Sequence, residues 1–179
     1  RFLGRNKLYT SVKIVGLSVA LAFVLIIGSY VWQEYSISRE NPDYERIYIP
    51  TQSMPYGIFE PMKEQIPEIE KITLVNSFDD VVMECDDERL VTRGLAVRGD
   101  FFDIFDYEFL IGDAGCLESY TDIVISESYA AKLAGKPELA VGMKIVPVDY
   151  PSQAYTVTGI IKDFDQNYWK YMDFICKGE

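Results

Sequence analysis

Between Lys13 and Glu34 the chain carries no charged side chain, and eleven of the twenty residues from 14 to 33 are Leu, Ile, Val or Phe. Wound as a helix, twenty residues extend about 30 Å, the thickness of a bilayer's hydrocarbon core. Those eleven side chains favour insertion by about 3–7 kcal/mol before the polar costs of Ser18, Ser29 and two glycines. The pattern predicts one membrane helix over 14–33, because a buried core helix rarely runs so far without a charge. Downstream the pattern changes to short alternating runs. Strands are expected over 46–49, 72–75, 81–84, 89–97, 107–111, 122–125, 143–148 and 155–161, and the ambiguous stretch 168–175 is read as one more. Asp86 and Asp87 form a turn that would join 81–84 to 89–97 in a hairpin. A helix is expected over 56–66, with Ile58, Phe59, Met62 and Ile66 on one face, Pro61 in its first turn and Pro67 as its stop. A second covers 127–133, with Ser126 as N-cap and Gly135 ending it. Residues 99–105 form a helical turn with Phe101, Phe102 and Phe105 on one side. Two helices among many strands, without strict βαβ alternation, predict an α+β fold.

The flanks of the apolar stretch give it a direction. Arg1, Arg5, Lys7 and Lys13 precede it with no acid, and Glu34, Glu40, Asp43 and Glu45 follow it. Basic residues stay in the cytoplasm, so the N-terminus is expected inside and the domain outside. Tyr9, Tyr30, Trp32 and Tyr35 sit where the two aromatic belts fall. Ala20-Leu21-Ala22 imitates a signal-peptide cleavage site, but the apolar chain before it is too short and more follows it, so an uncleaved anchor is expected. The pairs Gly16/Ala20 and Ser18/Ala22 have the spacing that lets a second membrane helix approach closely; small residues are also common in membrane helices generally. The expected organisation is a cytoplasmic basic segment over 1–13, a transmembrane helix over 14–33, a stalk over 34–44 and an external domain over 45–179. Starting on Arg and stopping soon after an apolar run, the chain is expected to be a fragment.

Charge narrows the partners. The chain of 179 residues has a net charge of −11, and the four bases before the membrane helix leave the remainder at −15. An acidic external domain argues against nucleic acid and against lying on anionic lipid. Thirteen Tyr and ten Phe suit a domain rich in strands. Three cysteines, Cys85, Cys116 and Cys176, permit at most one internal disulfide, and none of their spacings is that of a metal knuckle. Histidine is absent, which removes Ser-His-Asp triads, Cys-His pairs and the usual zinc sites.

The remaining motifs carry little chemistry. Gly135-Lys136 ends like a phosphate loop, but Ala130 stands where the loop's first Gly belongs. Asp163, Asp165 and Asn167 resemble the start of a calcium loop whose later positions are filled by Tyr168 and Phe174. Arg98-Gly99-Asp100 is an adhesion tripeptide, yet it leads straight into aromatic residues and reads as a polar helix start. The acids of 86–88 at a hairpin tip read as solvated turn residues rather than a catalytic pair. Tyr168, Trp169 and Tyr171 could form a platform for a sugar or lipid, or the core and rim of a sheet. No catalytic, cofactor-binding or metal-binding residue is assigned.

Four stretches, taken in order, carry a family resemblance. They are 5–10 leading into Val15-Gly16-Leu17-Ser18; 96–97 and 101–107 on to Leu110-Ile111-Gly112-Asp113; 123–128 with Ala130, Lys132 and Leu133, continuing to 141–145; and 155–164, reading YTVTGIIKDF. Together they resemble the N-terminal part of an ABC transporter permease of the MacB/FtsX type, Bacteroidetes-like: the first membrane helix and the start of the periplasmic core domain. The resemblance implies a non-catalytic permease subunit in a bacterial inner membrane. Such subunits work as dimers or paired permeases with a separate ATP-binding subunit and in some cases a periplasmic partner protein. ATP-driven motion inside is relayed to the outer domain, and no cofactor is implied. The motif residues it singles out are structural: Phe101, Phe102, Phe105, Gly112, Ser126, Leu133, Gly142, Gly159 and Phe164. Ala134 departs from the pattern, standing where the family usually has an aromatic. Two rivals share the topology: a single-pass sensor or solute-binding ectodomain, and an anchored hydrolase using the acids of 86–88.

Overall fold

The computed structural model describes residues 7–37, 43–50, 54–86, 88–163 and 171–178. They fall into two compact units, Arg1–Glu45 and Arg46–Glu179. The first is built on helix α1, Lys7–Ile37, an unbroken helix of 31 residues that outruns the predicted 14–33 at both ends. Nothing in the sequence stops it earlier, since no Pro or Gly–Pro pair interrupts it. Within it Tyr9–Gln33 is long and apolar enough to cross a membrane, and none of that stretch is buried within the chain. The hydroxyls of Ser18 and Ser29 donate back to the carbonyls of Ile14 (2.8 Å) and Ile26 (2.9 Å), which satisfies the two polar side chains inside the helix itself.

The second unit opens differently from the sequence expectation. The alternating run 46–49 forms no strand; a 3-10 turn, Tyr44–Arg46, is followed by irregular chain with Tyr48 and Ile49 exposed. Alternation alone does not make a strand when no sheet edge receives it. The next helix begins as a 3-10 turn, Tyr56–Ile58, and continues as α2, Phe59–Gln65. Pro61 lies in the first turn of α2, where its missing N–H breaks no bond. Strands β1, Thr73–Cys85, and β2, Glu88–Gly99, form a long antiparallel hairpin. The two strands predicted over 72–75 and 81–84 are one. The polar stretch between them is a bulge, with the register slipping between Phe78 and Val81 and Asp80 at φ 57°.

Helix α3, Phe101–Ile104, and strand β3, Phe109–Ile111, follow; then come β4, Asp122–Ser126, α4, Glu127–Ala134, β5, Lys144–Pro147, β6, Tyr155–Ile161, and β7, Phe174–Lys177. The strand read into 168–175 therefore starts later, at Phe174, and runs past it to Lys177. Residues 164–170, Phe164, Tyr168 and Trp169 among them, lie outside the described residues.

The strands run in the order β3-β6-β4-β7-β2-β1-β5, and β5 also pairs with β6. Six strands thus close into a ring: β5 bonds to β1 through Met83↔Pro147 and to β6 through Ile145↔Tyr155. Strand β3 takes the other half of that β6 edge, opposite Ile160 and Ile161. The β2–β7 and β4–β6 pairs are parallel and the others antiparallel.

Alternation along the strands sorts the core into two clusters. Ala96, Ile123, Ile125, Phe174 and Cys176 face one side with residues from every strand of the ring, and Tyr129 and Ala130 of α4 join them. Leu95, Val97, Val124 and Ile175, their sequence neighbours, face the other side under Phe101 and Tyr107. In β6 the alternation slips by one, so that Val157 and Ile160 both belong to the first cluster; the β4 register shifts at the same place, between Ile123 and Val124. The fold is α+β, an apolar helix followed by a domain of mixed helices and strands.

Candidate functional site

The aromatic run after Gly99 builds the outer cluster. Phe101 is 1% exposed; Phe102 and Phe105 are partly buried and pack against the same group. The Phe101 ring lies 5.3 Å from Phe102, 5.1 Å from Phe105 and 5.4 Å from Tyr107, and Phe102 lies 5.1 Å from Phe109. The Phe101–Phe102 and Phe102–Phe109 contacts are edge-on, Phe101–Tyr107 is stacked and Phe101–Phe105 tilted; such aromatic pairs add about 0.5–1.5 kcal/mol each beyond the area they bury. The four-residue helix α3 is thus a plug that covers four adjacent strands, not a free surface.

Its backbone start is set by Asp100. The Asp100 carboxylate caps no residue of α3; instead Oδ2 accepts from Lys63 Nζ at 2.9 Å and from the Ile72 N–H at 3.1 Å. Partial burial pushes this carboxyl up, but the Lys63 ammonium and the Ile72 N–H, with Lys71 nearby, outweigh it and hold it below the usual carboxylate range. The Arg98-Gly99-Asp100 tripeptide is therefore a junction between elements.

Past β3 the chain turns at Gly112, φ 87°, where a side chain would be strained and would run into Cys116 Sγ. Asp113 caps the 3-10 turn Ala114–Leu117 through the Gly115 N–H at 2.8 Å, and Cys116 Sγ accepts from the Asp113 N–H at 3.3 Å. Gly159 packs against the same sulfur, and Thr158 Oγ1 donates to the Cys116 carbonyl at 2.6 Å. Two glycines far apart in sequence thereby seat one thiol.

Helix α4 is held at its start from two directions. Ser126 Oγ accepts from the Tyr129 N–H at 3.2 Å, and Asp163 Oδ1 accepts from the Ser128 N–H at 3.0 Å. Asp163, which sequence reading places in an imitation calcium loop, is a second acceptor for this helix N-terminus. Leu133 and Ala134 pack on the inner cluster, and the Gly142 N–H donates to Val157 O at 2.8 Å. On α1, Gly16, Ser18, Ala20 and Ala22 are all exposed within the chain.

All three cysteines are thiols. Cys85 and Cys176 are buried and Cys116 is partly buried. Burial pushes the Cys176 thiol up to about 11 and raises Cys85, where the nearby acids Asp86 and Glu88 add to the effect. The Tyr129 hydroxyl is also raised, by burial first and then by Asp173 and Cys85. Glu84 is paired with Arg89 at 2.6 Å across the hairpin, and Asp86 sits in its turn at φ 47°. Among the described residues, no three His, Cys, Asp or Glu side chains are placed to share a metal ion. Asp165 and Asn167 lie outside the described residues.

Sequence reading missed Asp100 and Asp163 as structural junctions. Each makes its bonds to backbone or side chains 28 to 37 residues away, so no local pattern marks them.

The MacB-like periplasmic core domain matches residues 10–174. A domain of a candidate permease protein from Porphyromonas gingivalis has a similar fold, with a TM-score of 0.56 and 24% identity; the match covers 66% of this chain and 50% of that one. The periplasmic region of MacB from Actinobacillus actinomycetemcomitans aligns with a TM-score of 0.48 and 11% identity, over 70% of this chain and 61% of that one. The extracellular domain of the noncanonic ABC-type transporter YknZ from Gram-positive bacteria gives 0.44 and 16%, over 60% and 52%. No curated protein matches the chain. The chain thus spans about half the length of the first of these structures, and by its match over nearly its whole length it belongs to the family of MacB-like periplasmic core domains.

Proposed function

We propose that this chain is part of a non-catalytic permease subunit of an ABC transporter, which relays ATP-driven motion of a separate ATPase to a domain outside the cytoplasm. The observation that carries the reading is that one family match runs from inside the apolar helix, at residue 10, through the ring to residue 174. Helix and outer domain belong to one family unit. The unbroken course of α1 to Ile37, a turn beyond the apolar stretch, supports a stiff exit from the membrane. The charge asymmetry about that helix supports a cytoplasmic N-terminus in a bacterial inner membrane, with the acidic domain in the periplasm. Gly16 with Ala20, and Ser18 with Ala22 on the opposite side of the helix, each offer a small-residue face for another membrane helix, which supports a homodimer or a paired permease.

Co-expression of the full reading frame with the ATP-binding subunit encoded beside it tests the proposal. The expected result is a detergent-stable complex whose ATP hydrolysis depends on the membrane subunit. A chain that purifies without any ATPase and instead joins a cytoplasmic signalling protein, or binds a small solute in its outer domain, would establish the sensor reading.

A further inference from the structure

Residues 46–72 contribute no side chain to either core cluster among the described residues. Yet this is the stretch through which the chain passes from the membrane helix into the ring. Four hydrogen bonds among the described residues join it to one short segment of the ring, Asp100 to Asp103. Asp100 Oδ2 takes both Lys63 Nζ, from α2, and the Ile72 N–H, just before β1. The Asp100 N–H donates to Ile72 O at 3.0 Å, and Lys71 Nζ donates to Asp103 O at 3.0 Å. The Asp100 carbonyl accepts from the Ile104 N–H at 3.0 Å and so begins α3. One residue therefore bonds the entry segment with its side chain and N–H and the aromatic plug with its carbonyl.

We propose that Asp100 is a positioning residue for transmission: it ties the entry segment to the aromatic plug, so that displacement of α2 is passed to Phe101 and the four strands beneath it. The inference rests on the permease reading, since that reading supplies the displacement. Arg46 and Glu70, both exposed, pair at 2.6 Å between the two ends of the same entry segment. A surface ion pair alone would be a weak tether. Asp100 is stronger because a backbone N–H shares the carboxylate and the ring-side backbone is bonded in return.

Hydrogen exchange on the full-length permease assembled with its ATPase tests this. In the absence of nucleotide, Asp100→Ala should speed exchange at 59–72 about ten-fold or more, the effect of losing one charge-assisted hydrogen bond, while β4, β6 and β7 stay protected. With a non-hydrolysable ATP analogue, the native assembly should show altered exchange at both 59–72 and 101–111. In Asp100→Ala the change at 59–72 should persist and that at 101–111 should vanish. Asp100→Glu should restore it. If Asp100→Ala also unprotects β4, β6 and β7, Asp100→Asn, which keeps an acceptor for the Ile72 N–H, is judged by the same criteria. Unchanged exchange at 59–72 would overturn the tether. A retained nucleotide response at 101–111 would overturn the transmission role and leave the permease reading standing. A native assembly with no nucleotide response anywhere in the outer domain would overturn both.

Discussion

The Phe174 ring occupies the space in which a side chain at Gly94 would stand. The two are register partners across the parallel β2–β7 ladder, which joins chain segments 80 residues apart at the neighbouring Arg93–Asp173 contact. Gly94→Ala cannot be absorbed by a flexible chain end, because the obstacle is a buried ring. The expected cost is about 1–3 kcal/mol of stability, and more for Gly94→Val. Urea denaturation checks it; an unchanged midpoint would mean that the ring turns aside freely.

The three phenylalanines of the plug should differ. Phe101→Ala removes a fully buried ring and is expected to cost about 3–5 kcal/mol. Phe102→Ala and Phe105→Ala remove rings that are only partly buried, so each should cost less than Phe101→Ala. Equal losses at all three positions, read by thermal or urea denaturation, would contradict the packing described.

Acid should loosen the Asp100 junction before it unfolds the ring. The folded carboxyl lies below its ordinary value of 3.8, so its contribution is present above that value and is lost as pH falls through the folded one. Acid stability curves of the native protein and Asp100→Asn should therefore differ at pH 6 and converge only once the pH has fallen past the folded carboxyl's lowered value. Parallel curves throughout would show that the carboxylate adds nothing.

Thiol labelling should distinguish the cysteines and the membrane topology together. Cys116 is expected to react first. Cys176, its thiol pushed up to about 11, stays protonated and buried at pH 8, and Cys85 follows it more nearly than Cys116. A membrane-impermeant reagent, applied to cells with a permeabilised outer membrane, should label Cys116 in the intact protein. Labelling only after the inner membrane is broken would reverse the proposed orientation.

The proposed stalk over 34–44 offers a test of the proposed mechanical coupling. Inserting a flexible Gly/Ser segment between Ser38 and Asn41 should leave folding and ATPase assembly intact and abolish transport-linked function. Full function with a long insertion would make α1 a simple anchor.

Much of the fold is legible where the chain argues locally. Strand β6 matches its predicted span of 155–161, and Ser126 and Gly135 bound α4 as capping rules require. The misreadings have physical causes. Asn76 to Asp80 looks like a break because its polarity masks a bulge within one strand. Tyr171 to Asp173, at the end of an aromatic run, attract a strand assignment by β propensity, whereas β7 begins only at Phe174, where pairing with β2 and β4 begins. The ring's closure has no local signature, because it depends on a four-residue strand meeting β1, more than sixty residues back in the chain. The same holds for Asp100 and Asp163, whose neighbours in space are remote in sequence.

The seam made by β5 has a kinetic consequence. Its two sides differ. β5 and β6 are neighbours in sequence and can pair early, as Lys144↔Thr156 and Ile145↔Tyr155 show, whereas Met83↔Pro147 and Glu84↔Val146 join β5 to a strand more than sixty residues back. Two register pairs are a small return for closing so long a loop. The hairpin β1–β2 can also assemble early on its own, so the β1–β5 side of the ring should zip shut late. In a mutant weakened elsewhere, opening begins at this side, leaving the edges of β1 and β5 bare to neighbouring chains.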